Sequence, residues 1–199
     1  GDVEEFKRVA ETNMKTFKDL KDNHGVETIV TSCAGCFRAM KKDYSLSDEY
    51  EEYLGGIKII HTTDFLFEQF NEGKIKFTKE LDWKVTYHDP CHTGRHLIDF
   101  DVDEDGSKQW KGSYLGKSED NCLYDIPREM LKTIPGLDFV EMERIRSNSY
   151  CCGGGGGVMT GYGDWASKNA GLRIQEGMDT GAEHMVSICP FCHYNLNEG

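Results

Sequence analysis

The chain has little proline, four residues in 199, no long apolar run and no surplus of basic charge. Each shortage removes a class of function. The apolar runs are a few residues long, far short of the roughly 20 that cross a bilayer as a helix. The N-terminal stretch GDVEEFKRVAE carries no apolar h-region of a signal peptide. The expectation is a chain that is not itself transmembrane and is cytoplasmic, or peripheral on the inner face of a membrane through a partner subunit. With 35 Asp and Glu against 23 Lys and Arg, the net charge is −12. A nucleic-acid footprint needs a basic face to neutralise phosphates, so that class is set aside. The 38% hydrophobic content is enough for a real core, in one large domain or two small ones.

Cysteine is present but too thin for a disulfide scaffold: eight residues, grouped as CxxC, a lone Cys91, a lone Cys122, an adjacent pair and a second CxxC. Such a grouping favours metal. Adjacent Cα atoms lie about 3.8 Å apart, below the usual disulfide range of about 4.4–6.8 Å. Cys151 and Cys152 must therefore find separate partners.

An internal repeat organises the chain. An offset of 156 carries Cys33 onto Cys189, Cys36 onto Cys192, Gly25 onto Gly181, Glu27 onto Glu183, Val30 onto Val186, Asn13 onto Asn169 and Ala10 onto Ala166, without a gap. Both copies read as an amphipathic helix, a glycine turn, a short strand (ETIVTS, EHMVSI) and a CxxC that opens another helix. The expected fold class is α/β: duplicated units with mostly parallel sheets and cysteines at the C-terminal ends of strands, where open sheets put their ligands. The same offset places the first copy's counterpart of Cys151 and Cys152 just before Gly1. The expectation is an incomplete first unit at 1–80, truncated at its start or shorn of part of its site, and a complete second unit at 81–199 with an insertion at about 97–121. Further strands are predicted at Ile57–His61, Lys84–His88 and Leu137–Glu141, and helices at Asp2–Asp22, Phe37–Tyr44, Thr62–Gln69, Pro127–Thr133 and Gly163–Thr180.

In YHDPCHTGRH, Cys91 follows a strand and a proline, so its thiol belongs at the same sheet edge as Cys189 and Cys192. Five sulfurs then converge: Cys91, Cys151, Cys152, Cys189 and Cys192. That is one more than a tetrahedral zinc site or an ordinary cubane cluster takes. The glycine run after Cys152 takes positive φ freely and bares its N–H groups. Such a nest holds anions, so Gly153 and Gly154 are candidates to bond cluster sulfurs. A flexible linker is the bland alternative, but linkers are not flanked by CC and a helix start. A nucleotide P-loop lacks its Lys-Ser/Thr here.

The order HDPCH…CCGG…CPFC, with the second CxxC in TSCAGCFRAM, resembles the cysteine-rich CCG-domain family typified by the B and D subunits of heterodisulfide reductase. Related members include catalytic subunits of sulfite-reduction complexes, the C subunit of glycerol-3-phosphate dehydrogenase and lactate-utilisation proteins. The resemblance implies a non-cubane [4Fe–4S] cluster on the five cysteines, at which a disulfide is reduced in two one-electron steps, with Cys151 and Cys152 in the catalytic role. It also implies a small thiol or disulfide as substrate, and partner subunits carrying cubane clusters, flavin or haem. Cys33 and Cys36 match the closing CxxC of a first motif, and would hold a second cluster or zinc only with ligands from elsewhere. The 59 residues between Cys91 and Cys151 exceed the family's interval, which marks LIDFDVDEDGSKQWKGSYLGKSEDN as an insertion that loops out.

His92 and His96, four apart on the helix expected after Cys91, with Arg95 between them, are candidates to bind an anionic substrate or donate a proton; a polar helix start is the alternative. Asp101, Asp103, Asp105 and Gly106 match half a calcium loop, but Gly112 stands where the bidentate Glu belongs, so the reading is a solvated acidic loop. Cys122 reads as a spare thiol, and Tyr194 and Asn195 as residues that cap and pack a helix. Three functions stay open: a disulfide-reducing iron–sulfur subunit, an electron-transfer subunit of a quinone-linked dehydrogenase, and a structural zinc protein.

Overall fold

Helix α1 (Val3–His24) has glutamates in its first turn and Lys21 and His24 in its last, complementing the helix dipole, and buries Ala10 and Met14, one turn apart on one face. It stops at Gly25, where φ is +66°, a conformation that glycine adopts without a Cβ penalty. The β-branched strand β1 (Thr28–Thr31) follows, then helix α2 (Ala34–Arg38), which continues through a π turn (Ala39–Asp43) and a 3-10 turn (Tyr44–Leu46). Helix α3 (Tyr50–Leu54), which the sequence pattern did not predict, packs on α1, and strand β2 (Lys58–His61) leads into α4 (Thr62–Asn71). A reciprocal cap starts α4: His61 Nδ1 accepts from the Thr63 N–H, and Asp64 accepts from the His61 N–H at 3.1 Å.

The computed structural model describes residues 3–98, 101–102, 108–109 and 122–199. Strand β3 (Lys84–Tyr87) comes next, then a two-residue antiparallel ribbon of β4 (Asp101–Val102) and β5 (Lys108–Gln109). After the ribbon come α5 (Asp125–Thr133), β6 (Asp138–Val140), the short α6 (Val158–Gly161), α7 (Gly163–Met178), β7 (His184–Val186) and α8 (Pro190–Asn197). Two parallel sheets result. The first pairs β1 with β2, Thr28 opposite Lys58; the second has the order β6-β3-β7, Val85 opposite Phe139 and His184. The chain is α/β, with CxxC turns at the C-terminal ends of β1 and β7. Most of the insertion, including Asp103, Asp105, Gly106 and Gly112 of the calcium-like pattern, lies outside the described residues.

The sequence repeat is a structural one. Gly181 repeats the left-handed turn of Gly25, with φ of +73°. Cys33 and Cys189 cap α2 and α8 from the same extended conformation, φ/ψ of −105°/120° and −127°/123°. The two copies also interlock. Ala34, the first residue of α2, is fully buried in a cluster with Cys152, Ala170, Cys189, Cys192 and Leu196, while Ile188, one residue before the second CxxC, packs against the core built on α1.

One expectation fails. No α-helix follows Cys91: residues 91–94 form turns and Arg95–Leu97 a single 3-10 turn. Gly94 is the reason, with φ/ψ of −124°/−119°, outside the helical region. A Cβ on Gly94 would sit 2.6 Å from the Tyr124 ring, so the backbone is pressed directly against that side chain.

Candidate metal centre

The site is built from three loops at the C-terminal edge of the second sheet. The loop after β3 delivers His88, Asp89 and Cys91; the loop before α6 delivers Cys151 and Cys152; and the start of α8 delivers Cys189, its N-cap, and Cys192, in its first turn. Asp89 anchors the first loop. Its carboxylate, 3% exposed, takes a two-pronged ion pair from Arg128 at 2.7 and 2.8 Å and the Arg146 N–H at 2.8 Å. Arg146 is the only non-glycine among the described residues with positive φ, +56°, which aims its N–H at Asp89. The cysteine pair is held from behind by two asparagines. Asn169 donates to the Cys151 carbonyl and buried Asn195 to the Cys152 carbonyl, both at 2.6 Å. Sequence reasoning placed Asn195 only as a packing residue; its position one turn after Cys192 was the available signal.

All eight cysteines are free thiols, and the structure brings the five expected ones together. Cys152 Sγ lies 3.1 Å from Cys192 Sγ, and Cys91 with Cys151, Cys151 with Cys152, and Cys192 with Cys189 are near enough to shift one another's protonation. Two of the five sulfurs, Cys151 and Cys189, are favoured as thiolates, and the other three as thiols. Cys151 is held far below the usual thiol range by hydrogen bonds from Cys152 and Cys91, with the Gly153 N–H at 3.3 Å and the Arg95 charge adding to them. Cys189 is lowered to about 6 by Cys192 and by the backbone N–H groups of Cys192, Phe191 and Ala34. Cys91 and Cys192 are pushed up by their sulfur neighbours and by burial, and Cys152 to about 11, chiefly by Cys151. The Gly154 N–H faces Cys152 at 3.5 Å. Five soft sulfurs, two of them favoured as thiolates by backbone N–H groups and neighbouring thiols, suit zinc or iron with sulfide. Buried His88 stands with Cys152 and Cys192, a ring nitrogen and the two sulfurs all within 4.8 Å of one another, and its Nε2 has no hydrogen-bond partner.

Above Cys151 opens a cavity of about 490 Å³, whose walls include Arg38, Cys91, His92, His96 and Trp165. His92 Nδ1 lies 3.3 Å from Cys91 Sγ, and the His92 and His96 rings meet edge to face at 4.8 Å. Burial lowers both imidazoles, His96 to about 4. Arg95 is not among the lining residues: its guanidinium donates to the carbonyls of Ser147 and Ser149, 3.1 Å to the first. The cation in the cavity wall is Arg38, from α2 of the first repeat, which sequence reasoning missed because nothing in TSCAGCFRAM shows that it faces a loop more than fifty residues away. Cys33 and Cys36 lie beside Cys189, whose charge raises Cys36 further after burial and Cys33. Cys122 donates its S–H to the Gly94 carbonyl at 3.2 Å.

Fold and site together define an α/β protein with a cluster of cysteines fit for a metal at the C-terminal edge of a parallel sheet. The chain belongs to the cysteine-rich CCG-domain family, which it matches over residues 1–41 and 85–197. It is 36% identical over 97% of its length to the D subunit of the dihydromethanophenazine:CoB–CoM heterodisulfide reductase of Methanosarcina acetivorans, covering 40% of that protein. It is 30% identical over 98% of its length to the probable iron-sulfur-binding oxidoreductase FadF of Bacillus subtilis, and 29% identical over 98% to the EtfAB:quinone oxidoreductase of Syntrophomonas wolfei, covering 23% of each. The chain therefore spans less than half the length of these relatives. Among the described residues no helix is long and apolar enough to cross a membrane.

Proposed function

We propose that the chain is the cluster-binding part of an iron–sulfur redox subunit that reduces a thiol disulfide, with Cys91, Cys151, Cys152, Cys189 and Cys192 holding a non-cubane [4Fe–4S] cluster. The observation that carries this reading is the gathering of five sulfurs at one sheet edge, with Cys91 and Cys151 on the wall of a cavity and Cys152 and Cys192 in contact behind it. Four cysteines would complete a zinc site or an ordinary cubane, and the fifth would be idle. When bound, the cluster supplies electrons one at a time.

The chain's own residues do the rest. Cys151, at the cavity wall, and Cys152, behind it, bring the cluster to the substrate. His92 and His96 form the wall beside Cys91, where His92 Nδ1 exchanges a proton next to the reacting sulfur. The Arg38 guanidinium offers a charge for an anionic group on the substrate. Overall the disulfide takes up two electrons and two protons and leaves as two thiols, the electrons arriving from partner subunits that carry cubane clusters, flavin or haem. Cys33 and Cys36 stand ready for a second cluster or zinc with ligands from a longer chain, and the two units divide near residue 80.

A second reading is electron transfer to quinone without bond cleavage, favoured by the likeness to the EtfAB:quinone oxidoreductase. Iron, sulfide and zinc content of anaerobically purified protein, followed by EPR of the oxidised sample with and without thiol, decides among these. About four irons per chain and a thiol-dependent signal support disulfide reduction; iron without that signal supports electron transfer; one zinc and no iron overturns both. Cys151→Ser or Cys152→Ser with cluster content unchanged would remove the ligand assignment.

A further inference from the structure

His88 directly follows β3, three residues before Cys91, and is 1% exposed. Its backbone N–H bonds the Val186 carbonyl at 2.8 Å, which fixes the residue between β3 and β7. The ring has two polar atoms with opposite surroundings. Nδ1 lies 3.0 Å from Nε of Arg173, a side chain with no exposure at all. Nε2 meets no hydrogen-bonding protein group, and the imidazole lies within 4.8 Å of the sulfurs of Cys152 and Cys192, so Nε2 is the nitrogen left free to serve them.

Arg173 decides what that second nitrogen carries. A guanidinium has donors only, so Nδ1 must accept and keep its lone pair. The arginine has no freedom to turn away. Its Nη1 donates to Glu176 at 2.8 Å and to the Arg144 carbonyl at 3.0 Å, and its Nη2 to Ser149 Oγ at 3.1 Å. Glu176 is itself fixed by the Arg144 N–H at 2.7 Å. The single proton of the imidazole therefore sits on Nε2. A histidine that ligates through Nε2 needs the reverse, with Nδ1–H donating to a carboxylate or carbonyl. In that form an N–H on Nδ1 would point at the N–H of Arg173.

We propose that His88 is a positioning residue of the cluster and not one of its ligands: the Arg173–Glu176 pair locks its tautomer, so that Nε2–H donates to sulfur at the Cys152–Cys192 corner. This rests on the reading of the site as an iron–sulfur centre. A donor there withdraws negative charge from the sulfurs and raises the reduction potential. It would add to the N–H groups that Gly153 and Gly154 already hold beside Cys151 and Cys152.

The test uses the cluster-loaded chain, labelled with ¹⁵N-histidine and carrying His92→Gln and His96→Gln so that no other imidazole flanks the cavity. Pulsed EPR is expected to show one weak ¹⁵N coupling of the size a hydrogen bond transmits. His88→Met is expected to abolish it and to move the midpoint potential negative at unchanged iron content, while His88→Gln, which restores an N–H donor, recovers part of the shift. A strong ¹⁵N coupling of direct ligation overturns the proposal, as does no coupling at all. Should His88→Met fail to hold iron, the labelled protein with His88 intact still decides by the size of its coupling. Iron-loaded protein without the coupling refutes the role of His88 alone, whereas protein without iron refutes the cluster reading beneath it.

Discussion

Replacing Arg128 with methionine tests whether the cysteine site is held up by a buried charge pair. Arg128 and Asp89 are each 3% exposed, and the arginine donates to both carboxylate oxygens and to the Tyr124 carbonyl. Its other partner, Glu141, has a side chain 34% exposed, so water can replace what the substitution removes there. Asp89 has no such recourse: without Arg128, the hydrogen bonds that remain to its carboxylate come down to the Arg146 N–H. Breaking a buried pair from one side costs about 3–5 kcal/mol, because the charge left behind is uncompensated. Against a urea slope of about 2–3 kcal/mol/M, the unfolding midpoint of the metal-free chain should fall by about 1–2 M. Neutralising the survivor should return part of that loss, so Asp89→Asn/Arg128→Met should be more stable than the sum of the single changes by about 1–3 kcal/mol. The assay is equilibrium urea unfolding followed by circular dichroism under reducing conditions. A loss below about 1 kcal/mol for Arg128→Met, or strict additivity in the double variant, would refute the argument that Asp89 depends on this pair.

The glycine run should be uneven in its tolerance. Gly153→Ala puts a Cβ 2.9 Å from the Ala166 carbonyl at a φ of +85°, so stability and iron content should both fall, by about 1–2 kcal/mol from the backbone strain alone; Gly155→Ala meets only His92 at 3.6 Å and should leave iron content unchanged. Ala34→Pro removes the N–H that helps hold Cys189 near 6 and copies Pro190, its counterpart in the repeat, although the ring must be packed into a full core at about 1–3 kcal/mol. In metal-free protein, peptide-resolved alkylation against pH should show the Cys189 midpoint move upward; an unmoved midpoint removes Ala34 from the site. Burial lowers His61 in the folded chain, so the unfolded chain takes up a proton that the folded one refuses. The stability of the metal-free protein should be full above about pH 6.5 and decline below it, and His61→Gln should make that decline shallower; an equal slope would assign it to other groups.

The sequence made the architecture legible because the two copies align without a gap. One offset placed both strands, both glycine turns and both CxxC helix starts, and the five sulfurs followed from the rule that loops at strand C-termini carry ligands. The loop after Cys91 misleads because the polar spacing of HTGRH fits a helix locally, whereas Tyr124, more than twenty residues away, presses on Gly94 and sets the turn. Arg95 misleads for a related reason. A cation in a glycine-containing loop looks free in sequence, and here backbone carbonyls from Ser147 and Ser149 take its guanidinium. Arg173 could not be found at all, since an arginine within a helix reads as surface until the packing shows it fully enclosed.

The adjacent cysteines make structural sense as a splice. Their sulfurs cannot readily bond each other as a disulfide, and the backbone sends them different ways, Cys151 toward Cys91 and Cys152 toward Cys192. One dipeptide thus joins the loop after β3 to the turn after β7. The charge pattern follows from the same geometry. Cys152 and Cys192 stand between Cys151 and Cys189, keep their own protons, and with the backbone N–H groups favour the two thiolates. Binding metal must displace the protons held by Cys91, Cys152 and Cys192, so occupancy strengthens as pH rises and weakens in acid. The glycines are then there for a definite reason, since at Gly153 and Gly154 they keep N–H groups beside the two adjacent sulfurs.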